Sequence, residues 1–377
     1  MNLDYIDSLL LYIIIFSISI ISFYLSIKVC SIYKYFFLFV SFILPLFISA
    51  ARYAVGTDYF NYINYYFIPM LNGGKLPFSS KEYAFILLIK FATLINEYQV
   101  IFIISSMLIL LFIFKGIWKY NSKYKIYIYI MYIFLIFPTS FNNIRQNISI
   151  AILIYNLNSI FEKNLRKYIL FSILAILFHS SSIIFLPMYF IYNKILIKNG
   201  KRYIFYEMVI YIFLLVTIML DDFLLGIIEK NTIFSRYGQY FYKNSIVNGN
   251  NYEFYLKLLI FLTLIPIFQM LKNNKPENKF LIFCLTIDLI FCYTGFKNPY
   301  LKRIGLYYSC YLIFLLPEVI EIFSNKFKII LKILIVAYSI TMFLLSFYVL
   351  GMHEIFPYKI NTGEQNEEFI EYNNSSF

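Results

Sequence analysis

The sequence predicts an all-α polytopic membrane protein, and three observations carry that expectation. Of the 377 residues, 61% are hydrophobic and only 14% are charged, a combination that no soluble globular class accommodates. Apolar runs long enough to cross a bilayer recur about ten times. Short polar breaks rich in Lys separate them.

The expected spans are 9–27, 35–51, 99–117, 125–141, 145–161, 203–220, 253–271, 280–295, 304–323 and 329–350. The first follows Asp4 and Asp7, not a basic segment, and has no small-residue cleavage site, so it is expected to be a retained helix. Two stretches do not fit a simple crossing: 83–95 is short and carries Lys90, and 168–192 is polar in its middle, at His179 to Ser182. Together these elements make one transmembrane domain over 1–350, with outer loops at 52–82 and 221–252 and an extracytoplasmic tail over 351–377.

Orientation follows from the cations. Six breaks, at Lys28/Lys34, Lys115 to Lys125, Lys163 to Lys167, Lys194 to Arg202, Lys272 to Lys279 and Lys326 to Lys332, hold 17 of the 26 Lys and are expected to be cytoplasmic. For all six to share a side, 168–192 must cross an even number of times. It is therefore predicted to be a broken helical hairpin with His179 near its turn, while 83–95 is interfacial or re-entrant. The Lys excess thus belongs to loops, and nucleic acid is not expected as a partner.

Arg does not follow Lys. Of six Arg, four (Arg52, Arg145, Arg236 and Arg303) fall on the outer side, three of them at ends of membrane helices. A guanidinium meets phosphate through a fixed fork of donors, where an ammonium is a hydrated point charge. Arg at those positions points to an anionic lipid headgroup.

Four motifs carry the candidate chemistry. After the second span comes Arg52-Tyr53-Ala54-Val55-Gly56-Thr57-Asp58, in which Gly56 permits a sharp exit. Thr57 or Asp58 can cap a following interfacial helix lined by Tyr59, Tyr62, Tyr65 and Tyr66. Arg52 and Asp58 could pair, bind phosphate, or use the carboxylate as a base. Next, Asn142, Arg145 or Gln146, and Ser149 share the face of a helix start dense enough in polar groups to form a wet pocket. Phe178-His179-Ser180-Ser181-Ser182 holds the one His within an apolar stretch; a neutral imidazole can take a proton from a sugar hydroxyl. The other, His353, is expected to be solvated. Finally, Lys302, Arg303 and, one turn on, Tyr307 begin a helix on the outer side, whose dipole adds to the attraction for phosphate. Arg236 repeats that chemistry more weakly.

The chain has no Walker loop, no G-x-G-x-x-G, no H-E-x-x-H and no Asp-x-Asp. A nucleotide donor, a metal and other cofactors are therefore not expected, which leaves a lipid-activated donor. The four Cys lack C-x-x-C spacing and read as packing residues.

The order R-Y-x-x-G-T-D-Y, N-x-x-R-Q, F-H-x-S-S with a following L-P, K-R-x-x-x-Y-Y and Pro357-Tyr358 resembles the EpsG family of Wzy-like exopolysaccharide polymerases, over nearly the whole chain. The resemblance implies a GT-C-like, metal-independent membrane glycosyltransferase in the bacterial inner membrane, its active site facing outside. It would act on undecaprenyl-diphosphate-linked oligosaccharide, with membrane lipid around it and with a flippase and a chain-length regulator as pathway partners. Carried over, Arg52, Arg145 and Arg303 would hold diphosphate and stabilise the leaving group, and Asp58 and His179 would be alternative bases. The competing readings are an O-antigen-ligase-like transferase, a membrane O-acyltransferase and, from a different class, a lipid-linked oligosaccharide flippase, which would need internal repeats and midplane charges.

Overall fold

The computed structural model describes residues 3–30, 32–74, 82–197, 252–295 and 299–362, together with the isolated helical positions Met208 and Ile212. The expected span at 203–220, apart from those two positions, lies outside the described residues. So do the outer loop at 221–251 with Arg236, and the tail beyond 362.

The described chain is helical. It runs through α1 (Tyr5–Lys28), α2 (Ile32–Ala50), the short α3 (Tyr59–Tyr62) and α4 (Ile68–Leu71), α5 (Tyr83–Ile95), α6 (Gln99–Lys119), α7 (Lys125–Met131), α8 (Ile144–Phe161), α9 (Leu165–Phe178) and α10 (Met188–Phe190). After the gap come α11 (Tyr252–Leu264), α12 (Phe268–Asn274), α13 (Glu277–Thr294), α14 (Pro299–Ser309), α15 (Leu312–Ile322) and α16 (Asn325–Phe343). Asp4 starts α1 by accepting the Asp7 amide at 2.7 Å, which satisfies one of the unpaired N–H groups of the first turn.

Small polar residues are buried beside aromatic ones while large aliphatic residues face outward. On α1, Ser8, Ser19, Ser22 and Ser26 are buried while Ile6, Leu10, Ile14 and Ile21 are exposed. An apolar surrounding gives no drive to bury Ile, so packing and interhelical hydrogen bonds hold the helices together. Ser19 Oγ donates to the Ser41 carbonyl on α2 at 2.7 Å, and Tyr129 Oη of α7 reaches the same carbonyl at 2.9 Å. Ser49 and Ser106 join α2 to α6 at 2.7 Å. Gly116 lets α6 approach α8: a Cβ there would stand 2.8 Å from Ile154 Cγ2.

Among the described residues five helical stretches are long and apolar enough to span a bilayer, or six if the bent pair at 301–322 is one span. The expected count of about ten is not reached there, and the reasons are local. Residues 125–141 pass from α helix through a π turn, Tyr132–Ile136, into a 3-10 turn at Pro138. Asn142, Asn147, Asn156 and Asn158 stand in or next to α8, lowering its hydropathy. The 13 residues of α5 reach only about 20 Å, short of a hydrocarbon core.

The chain doubles back around His179. α9 ends at Phe178, a 3-10 segment takes Ser180–Phe185, and α10 follows. On the return, Tyr168 Oη donates to the Phe185 carbonyl at 2.6 Å, Tyr189 Oη to Lys163 at 2.7 Å and Asn193 Nδ2 to Ile160 at 3.1 Å. The segment expected to be a broken hairpin thus folds back on itself, with His179 near the turn.

Contacts divide the described residues into two compact units. The first comprises Met1–Asn158, Ile169–Ile183 and Ile329–Phe377, and the second Ser159–Tyr168 and Ile184–Lys328. In the first, residues 353–361 clasp the exit of α2. Tyr358 is fully buried with its hydroxyl on the Ile48 carbonyl at 2.8 Å, Tyr53 N donates to Lys359 O at 2.9 Å and Asn361 N to Ala51 O at 2.8 Å. In the second, buried Lys257 of α11 lies 2.9 Å from Asp288 of α13 and 3.0 Å from Glu253.

Candidate functional site

Three elements of the first unit meet through charged side chains: the start of α5, the start of α8 and the break after α9. Glu82 immediately precedes α5 and is buried, 4% exposed. Its Oε1 lies 2.7 Å from His179 Nδ1 and accepts the Ser180 amide at 3.2 Å. Its Oε2 accepts Arg145 Nη1 at 2.5 Å. The helix break explains why the Ser180 amide is free to point at a carboxylate, since it makes no α-helical bond.

Burial alone would raise the Glu82 carboxyl. The hydrogen bond to His179 and the positive charge of Arg145 outweigh it, and the group is held down at about 2. It is a carboxylate at any physiological pH. Its bond to Nδ1 fixes the imidazole in the tautomer that carries hydrogen there and leaves Nε2 basic. Nε2 has no hydrogen-bond partner among the described residues, and the side chain is 24% exposed. This is the arrangement of an oriented general base.

Arg145 is held from both sides. Its guanidinium stands 5.3 Å from the Tyr66 ring and 5.8 Å from the Phe85 ring. A guanidinium carries five N–H donors, and the side chain remains 27% exposed beside Glu82. Tyr62 prepares its position: the buried hydroxyl donates to the Asn142 carbonyl at 3.2 Å and accepts the Ile144 amide at 3.1 Å, capping the start of α8. Burial, offset in part by Arg145, lifts that hydroxyl to about 12.

Asn142 joins this group to the loop after α2. Its Oδ1 accepts the Asp58 amide at 2.8 Å, and its Nδ2 meets His353 Nδ1 at 3.0 Å. Gly56 makes the approach possible. Its φ is +100°, and a Cβ would fall 2.5 Å from the Phe141 carbonyl oxygen, so no side chain fits. Asp58 is half-buried and accepts Asn61 Nδ2 at 3.1 Å, while Thr57 is exposed and Gln146 is buried. His353 is not solvated as the sequence suggested. It is half-buried, packs against Phe347 at 6.0 Å, and adopts a left-handed φ of 64° two residues after Gly351.

The other expected residues are placed differently. Arg52 does not stand at the surface: it is 1% exposed, between the Phe102 and Phe141 rings at 4.9 and 4.7 Å, with Nη1 3.3 Å from Ser49 Oγ. Burial lowers the guanidinium to about 10, still charged at neutral pH. Arg52 and Tyr59 support the loop from beneath; Tyr59 stacks on Phe102 at 4.4 Å and donates to Gln99 Oε1 at 3.2 Å. In the second unit Lys302 pairs with Glu253 at 2.6 Å, Arg303 is exposed and Tyr307 is fully buried. Arg236 lies outside the described residues.

Glu82 escaped the sequence reading. The signal was there: it is the one acidic residue between Asp58 and Glu97, and it directly abuts an apolar run. No group of three or more His, Cys, Asp or Glu among the described residues is arranged to hold a metal ion.

A helical membrane protein with a His-carboxylate-Arg group at a helix break is thus what fold and site define. The EpsG family model matches residues 34–360, from the start of α2 to the strand-like pairing of Ile360 with Arg52, and the chain belongs to that family. No curated protein and no solved structure gives a significant match.

Proposed function

We propose that this protein is a metal-independent membrane glycosyltransferase that polymerises undecaprenyl-diphosphate-linked repeat units at the outer face of the bacterial inner membrane. Family membership supports an exopolysaccharide polymerase-like activity. The observation that carries the chemistry is the His179–Glu82–Arg145 group.

In the proposed reaction an acceptor sugar hydroxyl, on a new lipid-linked repeat, attacks the anomeric carbon of the growing chain. His179 Nε2 takes the hydroxyl proton, and Glu82 stabilises the imidazolium that forms. The bond from the anomeric carbon to the diphosphate oxygen breaks, and its electron pair leaves with undecaprenyl diphosphate. Arg145 faces the charge that develops on that oxygen. Asp58, Thr57 and Asn142 border the same group and are proposed to contact the glycan. Arg52, Gly56, Tyr59 and Tyr62 hold the loop that carries them. A flippase would deliver the repeat, and a chain-length regulator would end the polymer.

Deletion in the organism that carries the chain, followed by gel analysis of lipid-linked and surface glycan, tests this reading. Accumulation of single repeats, rescued by wild type and not by Arg145→Ala, is the expected result. Normal-length polymer left unattached would instead indicate a ligase, and unchanged glycan would overturn the proposal.

A further inference from the structure

A second polar feature lies at the other end of the first unit. α1, α2, α6 and α7 run away from the His179 group, and where their far ends converge they border an open-mouthed cavity of about 610 Å³. Its wall includes Cys30, Lys34, Trp118, Ser122, Lys123 and Lys125. Three of the lining residues are lysines, and none is a carboxylate.

The lysines are held in an unusual way. Lys34 Nζ lies 4.6 Å and Lys125 Nζ 5.3 Å from the centre of the Trp118 ring, so two ammonium groups share one indole. Lys125 also donates to the Trp118 carbonyl. An indole face attracts each cation, yet the two cations repel one another, and no acid in the wall balances them. Among the described residues Arg145 is paired with Glu82, Lys257 with Glu253 and Asp288, and Lys275 with Glu318 and Glu321, whereas buried Arg52 lies, like Lys34 and Lys125, against aromatic rings. Lys34 and Lys125 face this recess across one indole with no carboxylate in its wall, a lining that suits an anion.

We propose that this cavity binds a phosphate group between Lys34 and Lys125 against Trp118, supplied by the headgroup of an anionic membrane lipid or by free phosphate. The chemistry is the same for both sources: a compact anion with several acceptor oxygens facing point-charge donors. Basic recesses between membrane helices have the form that anionic lipid headgroups recognise. The site stands apart from glycan transfer and does not depend on it.

Trp118 is the single Trp of the chain, so its fluorescence reports on this cavity alone. The full-length protein is reconstituted in phosphatidylcholine nanodiscs, which are then doped with phosphatidylglycerol or titrated with inorganic phosphate. The expected result is a saturable shift of Trp118 emission in one arm. A response to phosphatidylglycerol alone assigns a lipid headgroup, and a response to inorganic phosphate assigns the soluble anion. Lys34→Gln with Lys125→Gln raises the half-saturating concentration roughly thirtyfold, taking about a factor of five for each charge near the membrane surface. Lys28→Gln, an exposed cation on the same helix end but outside the cavity wall, leaves it unchanged. No shift in either arm, or the same weakening from Lys28→Gln, would overturn the proposal.

Discussion

Glu82 and His179, 97 residues apart in the chain, meet at 2.7 Å through Oε1 and Nδ1. A buried carboxylate placed there orients the ring and stabilises its protonated form. Glu82→Gln preserves size and removes the charge. It should lower the rate of glycan transfer by about two to four orders of magnitude while donor binding persists, as read in a transfer assay on purified protein.

The same substitution should be felt in stability, because it strands Arg145. Breaking a largely buried pair from one side costs about 2 to 4 kcal/mol, seen as a lower Tm in detergent. Restoring neutrality with Glu82→Gln plus Arg145→Gln should recover part of that loss. A double variant less stable than the sum of the two singles would argue against a pair that matters for folding.

Stability should also depend on pH in a definite direction. The Glu82 carboxyl ordinarily titrates near 4.5 and is held at about 2 in the folded chain. A depressed carboxyl contributes its full share above about 4.5 and loses it as pH falls toward 2, on the order of 3 kcal/mol at most. The stability gap between wild type and Glu82→Gln should therefore be constant from neutral pH to about 5 and close below it. A gap that stays constant down to pH 3 would contradict the depressed carboxyl.

Gly56 should tolerate no side chain. Gly56→Ala places a Cβ 2.5 Å from the Phe141 carbonyl oxygen at φ +100°, costing about 1 to 3 kcal/mol and displacing the Asp58 amide from Asn142. Polymer yield and Tm should fall together. Asn142→Ala, which removes both side-chain bonds of the hub, should reduce activity more than His353→Ala, which removes one.

Orientation can be read from a native thiol. Of the four Cys, Cys30 is exposed and Cys284, Cys292 and Cys310 are buried. A membrane-impermeant maleimide should leave Cys30 unmodified in intact cells and label it in inverted vesicles. Labelling in intact cells would place the Lys34 end outside.

Much of this architecture could be read from the sequence, for reasons that differ residue by residue. The chain reversal at His179 was legible because basic breaks flank it on both sides, a pattern that is expected to keep both flanks on one side of a bilayer. Gly56 was legible because it sits where a helix must turn out sharply. Glu82 was not paired with His179 in advance, since nothing local links positions so far apart. The burial of Arg52 was hidden for the same reason: Tyr358, which helps cover it, bonds Ile48 from 310 residues away. Span count suffered from another cause. Apolar composition sets where a helix can cross, but π and 3-10 turns such as those at 132–141 interrupt it without changing that composition.

The central claim is that His179 takes the acceptor proton. The most direct measurement is glycan transfer by purified protein on lipid-linked repeat units, comparing wild type with His179→Gln and following donor binding in parallel. The account predicts a ladder of polymer from wild type, none from His179→Gln, and equal donor binding by both. Wild-type turnover by His179→Gln would contradict it and move the role to Asp58.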